Sequence, residues 1–119
     1  MSRSQKQYLL DILEAIDDAR RFAEDVSYAE LEDDLRTQYA LQRAFEIIGE
    51  ATKNVDDSIR ERYPDVPWRK MAGMRDVIVH KYFAVNLDVV WDTIYGDFPQ
   101  IRPRLRDILE EHFDEGTAP

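Results

Sequence analysis

Apolar side chains recur at three- and four-residue spacing from Tyr8 to Val26, through Leu9, Ile12, Leu13, Ile16, Ala19, Phe22 and Ala23. That period lays one stripe along an α-helix and is incompatible with a strand, whose side chains alternate between faces. A helix striped on one side must bury that side against other helices, so the chain is directed to an all-α architecture. The same logic runs onward. Ser27 and Glu30 have capping-box spacing and predict a second helix from near Tyr28 through Leu31, Leu35, Tyr39, Leu41, Phe45, Ile48 and Ala51, with Gly49 inside it as a point of close packing. A short helical segment, 59–63, meets Pro64-Asp65-Val66-Pro67, where two prolines stop propagation before Trp68 restarts it. Gly73 breaks or bends the chain before Arg75, Asn86 caps a further helix through Val90 and Trp91, and Pro99 suits the first turn of a last helix through Phe113. No strand pattern or repeat is visible. The expectation is an antiparallel bundle of four to five helices, one domain over 1–114, with a flexible C-terminal tail over 115–119.

Composition narrows the function classes. The 119 residues include no cysteine, which excludes disulfides, thiolate zinc sites and a cysteine nucleophile. No apolar run approaches the roughly 20 residues of a membrane span and no signal-peptide core follows Met1, so the expected location is cytoplasmic, without membrane association. The net charge of -9 argues against a general nucleic-acid coat, but it is unevenly spread. Residues 1–34 carry four Lys/Arg against ten Asp/Glu, whereas residues 60–82 carry six against three.

That locally basic window contains Arg75-Asp76-Val77-Ile78-Val79-His80-Lys81-Tyr82. A cation, an imidazole and a carboxylate set among apolar residues need partners or a polar cleft. On a helix, Arg75 and Tyr82 lie within about 20° of each other, Asp76 and His80 within about 40°, and Arg75 and His80 about 140° apart. Two arrangements satisfy this pattern. A twofold dimer would bring two copies of the segment face to face; a monomeric bundle would pair Asp76 with His80 at i, i+4 and let Arg75 reach outward. Elsewhere, His112 reads as a solvated surface histidine, Trp68 and Trp91 as core or interface anchors, and Arg102, Arg104 and Arg106 as a fan of surface cations. No Glu-x-x-His pair, Gly-rich phosphate loop, serine triad or zinc motif is present.

The run 44–51 (Ala-Phe-Glu-Ile-Ile-Gly-Glu-Ala), followed by Tyr63-Pro64-Asp65-Val66-Pro67-Trp68, Gly73-Met74-Arg75-Asp76, His80-Lys81-Tyr82-Phe83 and Val90-Trp91, resembles the HepT-like toxins of the HEPN superfamily. The Arg-x4-His-x-Tyr spacing is that family's signature. The resemblance implies a helical homodimer formed through the motif helix and a metal-independent endoribonuclease acting on RNA, transfer or messenger. It implies Arg75 and His80 as catalytic residues, Asp76 and Tyr82 in support, no metal and no cofactor. It also implies a partner, an MNT-type nucleotidyltransferase antitoxin that silences the toxin by transferring AMP to Tyr82. Where the family usually has asparagine and glycine, this chain has Asp76 and Ala84.

The implied chemistry suits the residue types. Attack of a 2'-hydroxyl on phosphorus needs a base, an acid and stabilisation of charge on the phosphorane. Histidine serves either proton-transfer role, and a dimer supplies two copies of His80. The planar fork of Arg75 suits a phosphate, and Asp76 at i-4 would orient the imidazole. The competing expectation is a catalytically weak helical adaptor that binds the nucleotidyltransferase and is modified by it.

Overall fold

The Ser4 hydroxyl accepts the Gln7 amide at 3.0 Å and starts α1, Gln5–Glu24. The computed structural model describes residues 3–79 and 86–113, with the side chains of 77–79 excepted. Along α1 the expected stripe is the core face: Leu9, Ile12, Leu13, Ile16, Ala19 and Ala23 are buried, while Phe22 at its edge is 39% exposed.

The second predicted helix is two. The capping box forms as expected, with Ser27 Oγ accepting from Glu30 N at 3.1 Å and Glu30 Oε1 accepting from Ser27 N at 2.9 Å, but α2 spans only Tyr28–Glu32. Asp34 then caps a new helix, α3, Leu35–Lys53, accepting from the Thr37 amide at 3.0 Å and from its hydroxyl at 2.7 Å. The Gln38 side-chain amide donates to the carbonyls of Leu31 and Glu32 at the end of α2, at 2.8 and 3.1 Å. Apolar spacing runs on across the break, so the pattern alone does not reveal it; the decision belongs to side-chain caps that compete with the helical ladder.

Short helices fill the middle of the chain: α4, Asp57–Arg62; α5, Trp68–Ala72; and α6, Met74–Val79. In the proline elbow between α4 and α5 the indole N–H of Trp68 donates to the Tyr63 carbonyl at 2.9 Å, and Trp68, Tyr63 and Val66 are buried. Arg60 closes the end of α3, donating to the Thr52 carbonyl at 2.5 Å and the Val55 carbonyl at 3.2 Å.

Asn86 caps α7, Leu87–Asp92, by accepting from Val89 N at 3.3 Å. Helical backbone continues through a π-helical turn, Thr93–Asp97, into α8, Phe98–Ile108, and a second π turn, Leu109–Phe113. Proline explains the first π turn: Pro99 has no N–H to offer Tyr95, and Phe98 N instead reaches back to the Thr93 carbonyl. Pro99 sits in the first turn of α8 as expected, but Asn86-to-Phe113 is a continuous rod rather than two separated helices.

Long-range hydrogen bonds define the packing directions. Gln5 at the start of α1 bonds Asn54 and Asp56 just past the end of α3, so these helices are antiparallel. Arg102 meets Asp17 and Tyr95 meets Ala23, which sets the last rod antiparallel to α1 as well. Between the rods, Phe45 and Phe98 meet at 5.6 Å between ring centroids, both fully buried. The architecture is an all-helical, HEPN-like bundle, with no strand among the described residues. No helix among them is long and apolar enough to cross a membrane.

Candidate active site

A missing side chain positions the site. A Cβ on Gly49 of α3 would lie 2.9 Å from both the backbone N and the Cβ of Arg75, and 3.2 Å from the Ala72 carbonyl oxygen. Any larger residue would push α6 away, so Gly49 is what lets the two backbones touch. Gly73 makes the bend that feeds α6, its amide bonding the Arg69 carbonyl at 3.1 Å and its carbonyl accepting Asp76 N at 3.0 Å. Buried Met74 pins the start of α6, leaving Arg75 and Asp76 exposed beside it.

The residue after Gly49 completes the arrangement. Arg75 donates Nη1 to Glu50 Oε1 in a short ion pair, with side chains 46% and 52% exposed. Arg43, Glu46, Glu50 and Arg75 line an open groove of about 430 Å³. Within it Arg43 Nη1 stands 3.5 Å from Glu46 Oε2, and Gln42 Nε2 stands 3.5 Å from Glu46 Oε1, both weak contacts. Only one nitrogen of the Arg75 fork is engaged by a described residue, so the Nε and Nη2 edge is free among these residues to take a second oxyanion. Asp76 makes no side-chain hydrogen bond or ion pair with any described residue. His80 and Tyr82, and with them the expected Asp76–His80 pairing, lie outside the described residues.

Reading the sequence singled out Arg75 and Gly49 but gave no role to Glu50, Glu46 or Arg43. The available signal was positional: 43, 46 and 50 recur on one helical face, immediately beside the glycine that admits α6. Most other cations of the basic window have structural duties. Arg60 caps α3, Lys70 pairs with Asp97 at 2.5 Å, and Arg62 faces His112 Nδ1 at 3.4 Å. His112, expected to be a solvated surface histidine, is half-buried against Tyr63 and Phe113, with ring centroids 6.1 and 4.8 Å away. The arginine fan on α8 is also structural in part, Arg102 holding Asp17 and Arg104 holding Asp65. Among the described residues no group of three or more His, Asp or Glu is placed to hold a metal ion.

Comparison with known proteins shows the family. The family model described as "Ribonuclease HepT-like" matches residues 12–108. A protein of Thermococcus cleftensis named "Probable ribonuclease HepT" is 41% identical over 108 residues, 91% of this chain and 98% of that protein. Two proteins named "Putative RNase" are also similar. One, from Methanocaldococcus jannaschii, is 39% identical over 84% of this chain and 92% of its own length. The other, from Caldanaerobacter subterraneus, is 34% identical over 92% and 97%. No solved structure matches.

Proposed function

The chain belongs to the HepT-like ribonuclease family, and on that premise we propose that it is a metal-independent endoribonuclease toxin whose site is centred on Arg75 and His80 and is silenced by AMP transfer to Tyr82. The observation that carries the proposal is the Arg75 guanidinium, held by one nitrogen in an open groove, its other edge unengaged by any described residue and so able to take a phosphate. A fork presented this way matches two oxygens of a phosphodiester and stabilises the charge that grows on them at the phosphorane.

In the proposed reaction His80 of one protomer removes the 2'-hydroxyl proton as the 2' oxygen attacks phosphorus. His80 of the partner gives a proton to the departing 5' oxygen. The products are a 2',3'-cyclic phosphate and a 5'-hydroxyl end, and the two histidines finish with exchanged protonation states. One imidazole cannot fill both roles in a single step, which is the chemical reason for a homodimer across the motif helix. Asp76 orients the imidazole. Silencing follows from attack of the Tyr82 hydroxyl on the α-phosphorus of ATP, which expels pyrophosphate and releases the phenolic proton. The added phosphate charge and base then block the groove. The enzyme supplying this step is an MNT-type nucleotidyltransferase antitoxin, and the RNA is transfer or messenger RNA.

One observation favours the adaptor reading. Glu50 already neutralises Arg75, and Asp76 adds a second carboxylate nearby in the chain, so the groove is not strongly attractive to a polyanion. The test is incubation of the purified protein with RNA in EDTA, comparing wild type with Arg75→Ala and His80→Ala. Cleavage by wild type alone, leaving cyclic phosphate ends, supports the ribonuclease. Equal inactivity of all three proteins, folded and with Tyr82 unmodified, supports the adaptor.

A further inference from the structure

A second feature lies at the junction of α2 with α7. Trp91 is packed between two tyrosines, its ring centroid 5.7 Å from Tyr28 and 4.7 Å from Tyr95, both pairs tilted by nearly 50°. The cluster is not core. Tyr95 is 51% exposed, Val89 of α7 is 37% exposed, and Tyr28 and Trp91 are half-buried. The Tyr95 hydroxyl donates to the Ala23 carbonyl at 3.3 Å, and the π turn carries the Tyr95 ring out beside α1.

Carboxylates surround these rings, and no described cation is paired with them. The Tyr28 hydroxyl donates to Asp88 in a short bond. That bond, then partial desolvation, then the negative charges of Asp88, Glu32 and Asp92 push the pKa of the Tyr28 hydroxyl up to about 12. None of Glu32, Asp88 and Asp92 forms an ion pair with a described residue. Tyr95 also lines a cleft of about 500 Å³ with Asp17, Arg20, Arg21 and Glu24, where positive and negative charges balance. Among the described residues the unbalanced charge is therefore on the Tyr28 and Trp91 side.

Aromatic faces are electron-rich and attract a cation within about 6 Å of the centroid, and nearby carboxylates add to the same attraction. A phosphate backbone would meet three negative charges here, none in an ion pair with a described residue, and be repelled. We propose that the Tyr28–Trp91–Tyr95 surface with Glu32, Asp88 and Asp92 is a docking site for an arginine- or lysine-bearing segment of a partner protein. Helix α7 begins five residues after Tyr82, so a nucleotidyltransferase that transfers AMP to Tyr82 is the natural bearer of that segment. That link rests on the function proposed above; the ring and charge arrangement does not.

The probe is a short capped peptide alternating glycine and arginine, titrated calorimetrically into the full chain, with a single-stranded RNA oligonucleotide as the opposing ligand. Asp88→Asn/Asp92→Asn weakens peptide binding about tenfold and Tyr95→Ala about fivefold. Tyr95→Phe, which keeps the ring, stays within twofold. The equal-charge control Glu61→Gln/Glu110→Gln also stays within twofold, and metal-free RNA cleavage is unchanged in all of them. Absence of peptide binding to wild type, or an equal loss in the control, overturns the proposal, because the attraction would then be absent or merely net charge. Weaker RNA binding in the Tyr95 and Asp88 variants with unchanged peptide binding also overturns it, by making this an RNA surface. Absence of RNA cleavage in wild type overturns the ribonuclease reading alone.

Discussion

Among the described residues, two arginine–carboxylate pairs cross between helices and are built differently. Arg102 of α8 grips Asp17 of α1 with two nitrogens, Nε at 2.6 Å and Nη2 at 3.1 Å. Its fork is spent on the fold, and the hydrogen bond from Arg102 holds the Asp17 carboxyl below its ordinary range. Arg75 of α6 meets Glu50 of α3 through one nitrogen and opens onto a groove. A fork engaged on both prongs is structural, whereas one steadied by a single contact is positioned and still available. Sequence position does not separate the two, since both arginines lie on helices near acidic residues.

The most severe way to test the difference is to remove each arginine. Arg75→Ala should lower kcat/KM for RNA cleavage by about a hundredfold or more, with Tm little changed, as expected for loss of a transition-state charge partner. Arg102→Ala should leave kcat/KM intact. Arg75→Lys should also fall well below wild type, because a point charge cannot satisfy Glu50 and a phosphate in two fixed directions.

Next in size is the backbone contact. Gly49→Ala forces a methyl group to within 2.9 Å of Arg75 backbone and Cβ, so α6 must move. The expected cost is about 1–3 kcal/mol in denaturant unfolding together with a clear loss of activity. Wild-type stability in the Gly49→Ala variant would show that α3 and α6 do not need this close approach.

A smaller effect isolates Glu50. Glu50→Ala should reduce kcat/KM about tenfold, while Glu50→Gln, whose carbonyl oxygen still accepts from Nη1, should recover most of it. If Glu50→Ala instead lowers KM and raises activity, Glu50 competes with RNA rather than steadying the fork.

The smallest effect concerns stability and pH. Asp17 has a depressed pKa in the folded chain, so its pairing stabilises above the ordinary carboxylate value near 4 and is lost as pH falls through the folded value. Asp17→Asn should cost no more than about 1 kcal/mol at neutral pH, because the pair is partly exposed and screened. The difference from wild type should shrink in unfolding titrations carried below about pH 4.

Helix content, the stripe on α1, the caps at Ser27 and Asn86, the proline elbow and the close packing at Gly49 were all legible in the residue order. Each is a local consequence of side-chain chemistry: periodicity, a hydroxyl or amide at the right offset, a missing N–H, a missing Cβ. The Arg-x4-His-x-Tyr spacing was likewise legible and pointed to the ribonuclease family to which the chain belongs. The break at Asp34 was not, because the apolar period crosses it and only the competing caps from Asp34 and Gln38 decide against a single helix. Nor was Glu50, 25 residues from Arg75 in the chain, or the cluster that joins Tyr28 to Trp91. What the sequence determined by itself is what neighbouring residues impose on one another through fixed backbone geometry. Which arginine stays available and which is consumed was decided only by tertiary structure, because that depends on where helices cross, and crossings are set by packing of the whole core.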